Sequence, residues 1–252
     1  MKKVLVIGSS HVGAIKKGLD LQLAPGSLHF DFIALPGKNY YSLEVLDGKF
    51  HAPEKSVEFI CNLFSFRDLP VLDHYDYFLF CAARSRLAFD LYSGSREPPV
   101  LSEAIVDAVI RNVNDHLYRQ VANCSRPSKL VFIGAPLLSD SAHQPGRLPR
   151  IPLIRTERDD LNASRLERLI RKCCDKSLRD VEGPSFLLPP PHMLRRHGFC
   201  TSDAYIRGGI RVDGRARKKG NDDDYEADMG HGNQDYGVEI AKLLIGFFSS
   251  VP

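Results

Sequence analysis

A three-layer α/β/α sandwich around a mainly parallel sheet is the fold class that the sequence predicts, and two observations carry it. Short apolar runs of strand length alternate with segments of helical period, strand then helix, about five times along the chain. Such alternation implies a parallel sheet with helices on both faces, each helix carrying the chain back to start the next strand in the same direction. No internal repeat and no domain boundary interrupts the pattern, so residues 1–252 are expected to form one domain, with long loop insertions near 139–156 and 192–227.

The first element is a buried strand, Lys3 to Ile7, broken by Gly8; a helix follows from His11 or Val12 to about Leu19. The second strand runs from Leu28 to Leu35 and stops at Pro36-Gly37. Val57, Ile60, Cys61 and Phe64 share one helix face, and Tyr75 to Cys81 is an aromatic and apolar third strand. Ile105, Val109, Val113, Leu117 and Val121 recur every four residues, which predicts one long amphipathic helix. Lys129 to Gly134 is the fourth strand. Leu166, Leu169, Ile170 and Cys173 mark a helix, Ser185 to Leu188 a short strand closed by prolines, and Tyr236, Ile240, Leu243, Leu244 and Phe247 the last helix.

Composition narrows the function. With 252 residues, 43% of them hydrophobic, the chain buries a sizeable core without disulfide staples. The six cysteines form no Cys-x-x-Cys pair and no metal-finger spacing, so reduced thiols, a cytoplasmic location and no metal are expected. The net charge of +3 and the lack of a basic run interleaved with aromatics argue against nucleic acid as the main partner. The absence of Trp excludes a Trp-lined sugar cleft. The apolar run Val4 to Ile7 is shorter than the core of a secretory signal, and no segment reaches the ~18 apolar residues of a membrane span, so neither leader nor span is expected.

In a wound sheet, ligands bind beyond the carboxyl ends of the strands. Gly8-Ser9-Ser10-His11 stands at such an end. A serine there has an exposed hydroxyl, and its N–H is one of the unpaired donors of the next helix. Both features suit a nucleophile that helps to bind its own oxyanion. The plainer reading is a helix cap, which Ser9 or Ser10 could equally provide. A nucleotide-binding, Rossmann-like site is a third reading. Gly8 and Gly13 match two glycines of G-x-G-x-x-G, but Ser10 replaces the middle one, and Ala34-Leu35 ends the second strand without a ribose-binding acid.

At the other end of the chain, Asp228-Met229-Gly230-His231 immediately precedes the last helix. A carboxylate three residues before a histidine can fold back onto its Nδ1–H, fixing the tautomer that leaves Nε2 free to accept a proton. Taken alone, this spacing is common in solvated loops. Paired with a strand-end serine, it resembles the SGNH hydrolase superfamily, the GDSL-type esterases. In that family the first block, Gly-Asp-Ser, follows the first strand, as Gly8-Ser9-Ser10 does here; the last, Asp-x-x-His, precedes the C-terminal helix. The order of elements fits over nearly the whole chain.

The resemblance implies a flavodoxin-like winding and ester hydrolysis through an acyl-enzyme, without a cofactor. Ser10 is then the nucleophile, His231 the base and Asp228 its orienting partner. Gly37 is similar in position to the family's second-block oxyanion donor. The third block, Gly-x-Asn, is absent: the strand runs into Cys81-Ala82-Ala83-Arg84-Ser85. Arg84, Ser85 or Asn39 could supply that donor, although each is equally well explained as loop polarity. The implied substrates are small acyl esters, O-acetylated carbohydrate among them. A catalytically weak ligand-binding protein of the same fold is the alternative. His11 follows the proposed nucleophile, and Arg207, Arg211, Arg215, Arg217, Lys218 and Lys219 form a basic loop before Asp228. In function that loop would favour an anionic substrate; otherwise it is a solvated charge run.

Overall fold

Every side chain from Val4 to Ile7 is fully buried, which requires a strand covered on both faces. The computed structural model, which describes residues 1–22, 25–83, 102–111, 116–126, 129–134, 136, 157–180, 182–198, 200–206, 208–210 and 231–251, makes this strand the hub of the sheet. β1 (Lys2–Gly8) pairs in parallel with β2 (Leu28–Ala34) on one side and β5 (Tyr77–Ala83) on the other. β6 (Leu130–Gly134) and β7 (Ser185–Leu187) complete five parallel strands in the order β2-β1-β5-β6-β7. That is the flavodoxin-like order, second-first-third-fourth-fifth among the sheet's own strands.

The two-residue alternation of β1 feeds two separate cores. Val4 and Val6 join α1 (Val12–Gln22) and the last helix α6 (Gln234–Ser250) through Ile15, Leu19, Ile240, Leu244 and Phe248. Leu5 and Ile7 face the opposite layer. There α3 (Glu103–Arg111), α4 (His116–Cys124) and α5 (Glu157–Ser177) contribute Val106, Leu117, Val121, Leu166 and Ile170. On that face Phe80, Phe132 and Phe186 occupy one register across β5, β6 and β7 and stack with centroids 5.4 and 6.0 Å apart. α2 (Glu54–Phe64) packs along the edge strand β2, with Phe64 stacked on Phe32.

Several sequence expectations need correction. Ile105 is exposed, and the neighbouring Val106 is the buried residue of α3. A strict four-residue repeat drifts around a helix of 3.6 residues per turn, so Ile105 and Leu117 cannot share a face of one straight helix. The described helices are α3 and α4, and residues 112–115 between them lie outside the described residues. A hairpin, β3 (Glu44–Leu46) with β4 (Lys49–His51), was not foreseen. Its turn, Asp47-Gly48, has φ of 49° and 73°, the paired positive angles that favour Asp-Gly in two-residue hairpins.

The segment expected as a loop near 192–227 is folded over its described part. β8 (Leu194–Arg195) pairs antiparallel with β9 (Cys200–Thr201), and Met193, Cys200, Thr201, Ile206 and Ile210 are buried. These residues have no period, so periodicity could not reveal them. Residues 211–230 and the other expected loop, near 139–156, lie outside the described residues.

The tightest contact is between α1 and α6. A methyl group on Gly18 would enter the backbone of Gly237, and one on Gly237 would enter the carbonyl of Ala14. At the far end of α6, the Lys2 ammonium donates to the Phe248 carbonyl at 3.2 Å and also to that of Val251, tying the helix to the start of β1. Gly237→Ala is expected to lower unfolding free energy by about 2–3 kcal/mol, since backbone rather than a flexible side chain would have to yield. Gly246→Ala, on an exposed turn of the same helix with open space around it, is expected to be neutral or stabilising by about 0.5–1 kcal/mol. Urea unfolding of the two variants checks both; equal effects would contradict the close-approach account.

Candidate active site

Order reverses at β1: the chain leaves it for β2 on one side and later for β5 on the other, opening a crevice at the carboxyl ends. Gly8 closes β1 in close quarters, because a Cβ there would lie 2.5 Å from the Cys81 carbonyl and 2.7 Å from Val12 Cγ2. The turn that follows is held by Val12 N–H donating to the Ser9 carbonyl at 3.1 Å and by Gly13 N–H to that of Ser10 at 3.4 Å. This places half-buried Ser10 at the N-terminus of α1.

His231 reaches the same point from α6. Asn233 caps that helix, its Oδ1 accepting from Tyr236 N–H at 3.0 Å. The same side chain donates through Nδ2 to the Ala204 carbonyl at 2.7 Å, and Asn233 N–H donates to the Tyr205 carbonyl at 2.9 Å. Ile210 N–H donates to the Gly232 carbonyl at 2.9 Å. Gly209 lies flat against His231, where a Cβ would stand 2.8 Å from His231 Cβ. Ala204, Tyr205, Gly209 and Ile210 thus form a clamp on the backbone that carries the imidazole.

Ser10 Oγ and His231 Nε2 are 2.8 Å apart, a hydrogen-bond distance. With the imidazole proton on Nδ1, the serine hydroxyl donates to Nε2, the polarity that a general base requires. The ring of His11 stacks on that of His231, with centroids 4.7 Å apart and planes inclined at 25°. Below Gly8, burial pushes the Cys81 thiol well above its ordinary range, so it remains a protonated core group. Burial, followed by the neighbouring Cys81, likewise pushes the Tyr236 hydroxyl up.

The structure therefore brings Ser10 and His231 together. Gly37 opens a 3-10 turn, Gly37–Ser42, directly beyond β2. Gly8 is paired with Ala34, and its carbonyl accepts from Leu35 N–H at 3.4 Å, so Gly37 belongs to the same sheet edge. Asn39 is exposed; its N–H donates to the Pro36 carbonyl at 3.2 Å and its carbonyl accepts from Ser42 Oγ at 2.7 Å. Among the described residues no hydrogen bond joins Gly37 or Asn39 to the Ser10–His231 pair. Asp228, Arg84 and Ser85 lie outside the described residues, as do Arg207, Arg211, Arg215, Arg217, Lys218 and Lys219.

Among the described residues, no cluster of three or more His, Cys, Asp or Glu is arranged to hold a metal ion, and no helix is long and apolar enough to cross a membrane. His192 pairs instead with Glu239 at 3.2 Å, and His197 with Glu167 at 3.5 Å. Sequence reasoning missed the clamp made by Ala204, Tyr205, Gly209 and Ile210 and the cap at Asn233. The cap carried a readable signal, an Asn immediately before the last apolar-periodic segment; the clamp works through backbone groups and carried none. The chain matches no family model and no curated protein.

Asn233→Ala removes the side-chain bonds to Tyr236 and Ala204 and is expected to cost about 1–2 kcal/mol, whereas Asn233→Ser keeps a capping oxygen and should cost less than half of that. Denaturant unfolding of the two variants gives the comparison. Equal losses would mean that the Oδ1 cap does not hold this end of α6.

Proposed function

We propose that the protein is a serine hydrolase of small carboxylic esters, with O-acetylated carbohydrate within its substrate range. The observation that carries this reading is the 2.8 Å separation of Ser10 Oγ and His231 Nε2 at the sheet's switch point. A serine hydroxyl is a poor nucleophile until a positioned base takes its proton. Here that base stands at the N-terminus of a helix whose first N–H groups have no partner within the helix.

In the proposed reaction, His231 Nε2 takes the Ser10 proton as Oγ attacks the ester carbonyl. The N–H groups of Ser10 and Gly37 receive the oxyanion. The imidazolium then returns the proton to the leaving alcohol, and a water deprotonated by His231 releases the acid from the acyl-enzyme. Asp228, three residues before His231, is proposed to hold the Nδ1–H. The resemblance to the SGNH hydrolases supports these assignments through the blocks at both chain ends, and the missing third-block Asn implies an oxyanion site that differs from that family's. The six thiols are unpaired in disulfides, which supports a reducing, cytoplasmic setting. The nucleotide-binding alternative is less favoured because His231 stands over the helix N-terminus where a pyrophosphate would lie.

Turnover of p-nitrophenyl acetate and labelling by a fluorophosphonate test the reading together. Ser10→Ala and His231→Gln are each expected to lower kcat/KM by about 10³-fold or more, and Asp228→Asn by roughly 10²–10⁴-fold. Ser9→Ala should keep most activity. A fluorophosphonate adduct mapped to Ser9, or an unlabelled and inactive wild-type protein, would sink the assignment.

A further inference from the structure

We infer that His11 is a positioning residue for His231: its ring, stacked face to face on the His231 imidazole, holds Nε2 in line with Ser10 Oγ. The inference rests on the hydrolase proposal and adds to it a residue that belongs to neither end block. A histidine ring turns about a broad, roughly two-fold torsion, so a fixed backbone does not by itself aim Nε2. The backbone of His231 is fixed by Gly209, by the bond from Ile210 N–H to the Gly232 carbonyl and by the cap at Asn233. Beside the proposed hold of Asp228 on Nδ1–H, a contact on the ring face restrains its plane, and among the described residues His11 makes that contact, at 4.7 Å and 25°.

His11 can act as that restraint because its own backbone is immobilised. It sits inside the turn closed by the Val12-to-Ser9 and Gly13-to-Ser10 hydrogen bonds, one residue from the nucleophile. The turn that presents Ser10 therefore also presents the surface against which its base is aligned. A stacked aromatic face also tolerates the imidazolium that forms while the proton is held, since a π-face attracts a cation. His11 does not replace His231 as base, because it is the Nε2 of His231 that lies 2.8 Å from Ser10 Oγ.

The test compares His11→Ala and His11→Phe with wild type on p-nitrophenyl acetate, alongside NMR of the His231 ring in histidine-labelled protein. A flat ring is the property required, so His11→Phe is expected to keep kcat within about threefold of wild type. His11→Ala should lower kcat by roughly tenfold to a hundredfold with KM within about twofold, because alignment rather than substrate binding is lost. The His231 ring protons should lose their ring-current shift in the Ala variant and keep it in the Phe variant. Matched melting temperatures would set aside global unfolding. An unchanged kcat in His11→Ala, equal losses in the Ala and Phe variants, or a His231 ring signal indifferent to either change would overturn the inference. Failure of the hydrolase reading would show separately, as a wild-type protein with His11 intact that forms no Ser10 adduct.

Discussion

Two helix backbones in contact set the geometry of this molecule. α1 and α6 approach until Gly18, Gly237 and the Ala14 carbonyl meet with no room for a methyl group. The same pair brings Ser10 beside His231 at one end and Ala14 and Gly18 beside Gly237 further along, so the helices run in the same direction. Their N-termini therefore open side by side. A serine before one helix and a histidine before the other, 221 positions apart in the chain, meet because the helices behind them cannot separate.

The sheet decides where that meeting occurs. β1 is buried on both faces, and its alternation sends Val4 and Val6 to the α1–α6 layer and Leu5 and Ile7 to the opposite one. Being the strand at which the winding reverses, it also ends in the crevice. Gly8 allows the Cys81 carbonyl of β5 to come close under that end. The floor of the site is thus apolar and inert, with a buried thiol and a buried phenol held protonated, while the polar groups stand above it on helix N-termini.

Holding the imidazole is a different task from placing it. The described part of the segment from Pro191 to Ile210 does the holding, through the carbonyls of Ala204 and Tyr205 and the N–H of Ile210. Met193, Ile206 and Ile210 bury its own side chains. What reads as an irregular insertion in the sequence is, over these residues, a clamp on the turn that carries His231. His11 then meets the ring itself, so Gly209 packs on the backbone and Cβ of His231 while a stacked aromatic face meets its imidazole.

The strands were legible because a strand buried on both faces is a continuous apolar run, as in β1, β5 and β6, whereas the edge strand β2, with His29 exposed and Asp31 half-buried, is marked by its apolar end before Pro36-Gly37. Ser10 and His231 were legible because a strand-end serine and an Asp-x-x-His block stand at opposite ends of an α/β pattern. The Asp47-Gly48 hairpin was also present in the sequence, as a turn with its own residue preference, and was passed over. Ile105 was misplaced because a four-residue count departs from the helical period. Sequence alone thus determined the layer order, the strand positions and the residue types at the sheet edge, all of which follow from local periodicity and turn chemistry. Only the tertiary structure decided that Ser10 and His231 are 2.8 Å apart, that His11 stacks on His231 and that Ala204, Tyr205, Gly209 and Ile210 clamp its turn. Those relations depend on backbone contacts between segments remote in the chain, which leave no period in the sequence to read.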